Sequence, residues 1–137
     1  MKRGGAGSWI LALAAFFAIS GCMPVQPSEQ EVIGIWQVNW NCGIERLELK
    51  RGRSYVQDIE YRGGGHATHI GHTWRVIPKE SILNSGYVVL QDAVEFCSVF
   101  GVKLAKPETG DRQLATVWEW GRLILSFNPD WQGFERH

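Results

Sequence analysis

The sequence has little of what most readily announces a function. It holds only three cysteines, Cys22, Cys42 and Cys97, and neither of the last two has a His or Cys at zinc-ligand spacing. It has no excess of charge, because 14 basic and 14 acidic side chains cancel. That excludes the concentrated basic footprint of a nucleic-acid binder. No G-x-S-x-G occurs, so the turn that presents a hydrolase serine is missing. Asp58 and Glu60 share one strand face, but same-face acids on a strand are ordinarily a solvated surface. The chain therefore reads as non-enzymatic and without a cofactor. Beyond residue 22 no apolar run approaches the roughly 20 residues that span a bilayer. Nor does any stretch keep a helical apolar period over about ten positions.

What is present begins at the N-terminus. Lys2 and Arg3 precede an apolar run over residues 9–19, closed by Ile19-Ser20-Gly21-Cys22. The charge, length and small residues are those of a secretory signal, helical in its apolar part. The last four residues resemble the lipobox of bacterial lipoproteins. That resemblance implies cleavage before Cys22, a diacylglyceryl thioether on its sulfur, and acylation (for instance by palmitate) of its new amino group. An ordinary cleaved signal with an incidental Cys22 is the plainer reading. A single acyl chain holds a protein to a membrane only marginally, whereas two or more make the anchorage durable. Met23, standing where some lipoproteins carry Asp, is similar to the class sent to the outer membrane. The expected location is its periplasmic face.

These features divide the chain into a signal at 1–21, a lipidated tether at 22–31 and one domain at 32–137. Pro24 and Pro27 make the tether semi-extended. At about 3.3 Å per residue it would hold the domain some 30 Å from the head groups. In the oxidising space where such a protein matures, Cys42 and Cys97 most simply form one disulfide. Two separately buried thiols are the other reading.

From Val32 onward the pattern is of short β segments punctuated by glycine. Val32, Trp36, Val38 and Trp40 share one parity, and Leu47 and Leu49 alternate with charge over 45–50. Tyr55, Ile59 and Tyr61 lie on one face of the next segment. Further strands are expected at 73–76, 87–91, 94–104, 114–120, 123–127 and 131–136. Gly101 would mark a bend, residues 106–112 an exposed loop and Gly121-Arg122 a hairpin connection. Strands at 8–12 residue spacing predict an all-β, antiparallel up-and-down meander. Seven to nine strands would form a small barrel, closed or partly open.

Gly34-Ile35-Trp36 is similar to the G-x-W of lipocalin-like barrels, whose Trp plugs the closed end, and Gly71-His72-Thr73-Trp74 echoes it. The order of segments resembles a group of small bacterial lipoproteins. Its marks here are Glu45 to Lys50, Gly71 to Trp74, Val88 to Leu90, Phe96-Cys97 and Trp120 to Leu125. The resemblance implies a fold and no transferable activity.

Two constellations remain. His66, His69 and His72 invite a zinc or copper reading completed by His137 or a carboxylate. Their spacing on a strand instead puts His69 opposite the other two, as three solvent-facing side chains. The tryptophans either fill a core poor in leucine or form an exposed platform for sugars or partners. Trp118, Trp120 and Trp131 are the candidates for contact, Trp131 first. The functional expectation is an envelope binding module for a protein, glycan or small hydrophobic ligand, with a surface preferred to a pocket. The alternative is an envelope inhibitor or immunity protein against a lysozyme-like enzyme, acting through the glycine-rich, basic loop at 62–72.

Overall fold

A computed structural model describes residues 22–24, 26–78, 86–98, 102–128 and 132–137. The signal segment, Gly101 and Trp131 lie outside them. The described chain is almost wholly strand: β1 (Cys22–Pro24), β2 (Gly34–Trp40), β3 (Gly43–Leu49), β4 (Tyr55–Tyr61), β5 (His66–Ile70), β6 (Trp74–Ile77), β7 (Tyr87–Cys97), β8 (Lys103–Glu119), β9 (Arg122–Asn128) and β10 (Gln132–Arg136). One four-residue helix, α1 (Glu29–Val32), precedes β2, capped by the Ser28 hydroxyl and a returning Glu31 carboxylate.

The strands form one antiparallel sheet in the order β5-β4-β3-β2-β10-β9-β8-β7-β6. Two meanders, β2 to β5 and β6 to β10, are thus welded where β10 pairs with β2. The curled sheet is a half-barrel, and β5 and β6 are its free edges. The expected all-β meander is the observed architecture, in its partly open form.

Parity decides what is inside. On β2 Trp36 and Val38 are buried, on β3 Leu47 and Leu49, and on β4 Tyr55, Ile59 and Tyr61. The larger apolar cluster joins these to Trp74, Leu90, Leu114, Leu125 and Phe134. At one end of the strands the Trp36 indole N–H donates to the Val32 carbonyl at 2.8 Å. The Arg136 guanidinium lies 4.7 Å from that ring centre, a cation–π contact. A smaller cluster gathers Cys42, Ile59, Tyr61, Val94 and Phe96 at the other end. There Cys42 and Cys97 stand at disulfide distance, their Cα atoms 6.2 Å apart.

Three expectations are corrected. The segment 94–104 is two strands, because the chain reverses between Cys97 and Lys103, which pair. Residues 106–112 belong to β8, with Thr109 opposite Val94 and Glu108 opposite Glu95. Pro107 is accommodated because it falls in a register irregularity between Glu108 and Lys103, where no ladder bond is required of it. The segment expected as an extended tether is docked in part, since β1 pairs with the end of β8.

Candidate functional site

The β8–β9 connection is a two-residue turn made by Trp120 and Gly121, since Glu119 pairs with Arg122. This shifts the expected hairpin loop back by one residue. Both turn residues have positive φ, 47° for Trp120 and 80° for Gly121. Such a turn matches the right-handed twist of the strands but favours Asn or Gly at its first position. For a bulky L-residue the left-handed region costs about 1–2 kcal/mol. Trp120 nevertheless stands there, 74% exposed, with Trp118 of β8 44% exposed behind it. A large apolar side chain is thus held in water at a local conformational cost.

Beside the turn a groove of about 730 Å³ opens along the barrel wall. Pro27, Trp118, Leu123 and Ile124 supply its apolar lining, and Arg122 and Glu135 its polar margin. The last two approach to 3.6 Å, but both are more than half exposed, so the pair adds little stability. β1 borders the same hairpin, with Cys22 opposite Glu119 and Met23 opposite Trp118.

The tryptophans divide between core and surface. Trp36 and Trp74 are core residues, Trp40 is half-buried, and Trp118 and Trp120 face outward.

A second assembly lies inside the barrel, between the two apolar clusters. Glu45 is 2% exposed and accepts from the Arg112 guanidinium at 2.8 Å. It also accepts from the Gln57 amide at 3.0 Å and the Trp40 indole N–H at 2.7 Å. Among the described residues no buried side-chain nitrogen or oxygen lacks a partner. Gln57 ties the cluster to the Val94 backbone as well. Paired and fully hydrogen-bonded, a buried charge is tolerated. Its chemistry as it stands is that of a cross-brace.

The three histidines are not brought together. His66 lies 3.5 Å from Asp58, while His69 reaches the Asp92 carbonyl at 2.7 Å. His72 approaches the Asp92 carboxylate at 3.4 Å. Among the described residues no three His, Cys, Asp or Glu side chains converge as metal ligands. His66 and His69 lie on opposite faces of the edge strand β5, and His72 follows in the β5–β6 connection. His137 follows β10, its backbone N–H donating to the Ile35 carbonyl at 2.9 Å. Asp58 accepts from the Thr68 hydroxyl at 2.5 Å.

Two phenols have raised pKa values. Tyr55 is pushed up to about 12, first by burial and then by the Asp92 carboxylate. Tyr61 is raised by burial and by Glu45.

Sequence reasoning missed Glu45, Gln57 and Arg112. For the first two a signal existed, since they share the inward parity of Leu47 and of Tyr55 and Ile59. No family model matches the chain, nor does any curated protein or solved structure.

Proposed function

We propose that this chain is a non-catalytic binding module of the bacterial cell envelope, anchored by lipid on Cys22 at the outer membrane. Its contact surface is the β8–β9 hairpin with the groove beside it. The observation that carries this reading is Trp120: exposed, aromatic, and held at φ 47° where Gly or Asn would be easier. Strain of this kind persists where the surrounding structure over-determines it, and it collects at functional sites. Aromatic side chains dominate contact energetics because each buries a large area and loses few rotamers. A surface is preferred to an internal pocket because large side chains and the Glu45 cluster occupy the barrel interior.

The test uses the Cys22→Ala chain, which cannot be acylated at that position. Co-sedimentation with phospholipid vesicles and with peptidoglycan sacculi, and calorimetry with a fatty acid, cover the three ligand classes. The expected result is binding to one of them that W118A/W120A loses by roughly tenfold or more. Binding that the double variant retains in full would remove the hairpin from the account.

The inhibitor reading through residues 62–72 draws less support. Arg62 folds back to donate to the carbonyls of Trp40 and Asn41, and His72 faces Asp92. Arg62 is thus engaged with the β2–β3 connection. A lysis assay with the purified domain tests it: protection of cells from a lysozyme-like enzyme would restore that reading.

A further inference from the structure

The hairpin and the N-terminal strand meet. In β1, Cys22 is the antiparallel partner of Glu119, the residue just before the Trp120–Gly121 turn. Antiparallel Cα partners lie only about 4.5–5.5 Å apart. When residue 22 carries the acyl chains, no free chain separates the anchor from the hairpin tip. A tether of some ten residues would have allowed the barrel to stand clear of the membrane. A docked β1 does not.

We infer that the barrel lies against the bilayer that anchors it, with the β8–β9 hairpin at the head-group layer and Trp118 and Trp120 entering the interface. This deepens the function proposed above and rests on its lipid anchor. The occupant of the hairpin surface is then the phospholipid interface itself. Trp is the side chain best suited to that depth, because its ring is apolar while its N–H still finds water or a head group. The turn geometry serves the same end: a left-handed residue at the apex turns its side chain away from the ladder on either side. The inference also accounts for the exposure of Trp118, one strand position from the Cys22–Glu119 pair. An interface of this kind would set the barrel's orientation, leaving the free edges of β5 and β6 open to the periplasm.

The experiment takes the mature protein purified from membranes with its native N-terminus. It is reconstituted in phosphatidylethanolamine–phosphatidylglycerol vesicles whose acyl chains carry bromine, a contact quencher of indole emission. Wild type is compared with W118F/W120F, and the difference cancels whatever the other tryptophans contribute. Circular dichroism checks that the double variant is folded. Intact-mass spectrometry of the same samples reports acylation at Cys22. The inference predicts an acylated chain whose brominated-lipid quenching falls roughly twofold or more in the double variant. Equal quenching in both acylated proteins would overturn the inference and leave the anchor standing. A mature chain without acyl groups would defeat the anchor reading first, and the inference with it. Photocrosslinking from position 120 to another protein, with none to lipid, would also overturn it.

Discussion

Gln57 of β4 bonds both backbone groups of Val94 on β7: its amide donates to the Val94 carbonyl at 3.2 Å, and its side-chain oxygen accepts the Val94 N–H at 2.8 Å. One side chain thus does the work of a strand partner. β7 has left the β6 ladder after Leu90, so its inner edge at Val94 would otherwise be unpaired. The Tyr55 hydroxyl, donating to the Gln91 carbonyl, and His69 at Asp92 continue the same seam. The half-barrel is held across its open side by side chains rather than by a ladder.

Replacing Gln57 with Leu should therefore cost far more than a surface change. It orphans the Val94 N–H and carbonyl and removes a donor from Glu45, each a buried polar loss of about 1–3 kcal/mol. The expected result is a fall in the chemical-denaturation midpoint equivalent to at least about 3 kcal/mol. Loss below about 1 kcal/mol would show that water replaces the amide.

The Glu45–Arg112 pair predicts non-additivity. Arg112→Met leaves a carboxylate that is 2% exposed without its cation, a change that costs roughly 3–5 kcal/mol in comparable pairs. Glu45→Leu together with Arg112→Met removes both charges and should recover most of that loss. A double-mutant cycle by urea denaturation checks it. Simple additivity would mean that the two side chains do not interact.

Tyr55 gives the chain a pH dependence at the alkaline end. Its folded pKa is raised to about 12, by burial first, whereas an unfolded tyrosine titrates near 10. Between those values the unfolded chain releases a proton that the folded chain keeps. The stabilisation is complete below about pH 10 and is lost as pH rises toward about 12, by up to about 3 kcal/mol. Tyr55→Phe should lower stability at pH 8 by about 1 kcal/mol for the lost hydrogen bond. It should also flatten the decline above pH 10. Some slope will remain from Tyr61, raised in the same direction. Thermal midpoints across pH 8–12 would show this; an unchanged slope in Tyr55→Phe counts against it.

Gly71 marks where the β5–β6 connection passes the Tyr55 ring. A Cβ at residue 71 would sit 1.8 Å from the ring's Cζ, an overlap that requires the seam to move. Gly71→Ala should lower the thermal midpoint markedly, whereas Gly110→Ala, with nothing within 4 Å, should be nearly silent. Equal effects at both positions would locate the ring elsewhere.

Much of this fold is legible in the sequence because half-buried strands write their inside and outside in alternate letters. Trp36 and Val38, Leu47 and Leu49, and Tyr55, Ile59 and Tyr61 are all inward, as their parity says. The same parity points to Glu45 and Gln57, but polar letters at inward positions break the apolar pattern that a reader counts. Their partners, Arg112 and Val94, are brought to them only by the tertiary fold. Residues 106–112 resemble a loop because every one but Arg112 is exposed, leaving no alternation to see. Their strand is imposed by β7 alongside. Trp118 and Trp120 were readable as candidates, but the left-handed turn that presents Trp120 depends on the pairing of Glu119 with Arg122. The docking of β1 is a tertiary event too, and composition alone suggested a free tether.

Trp120→Gly separates contact from stability as the reason Trp120 occupies its turn. Glycine relieves the left-handed strain while giving up some unfolded-state entropy, so a net gain of about 1 kcal/mol is expected. In a domain of this size that is a rise in thermal midpoint of roughly 4 °C. In the Cys22→Ala background, the same variant should lose binding to vesicles, sacculi or fatty acid, whichever the parent binds. A midpoint that falls, with binding unchanged, would make Trp120 a structural residue and contradict the account.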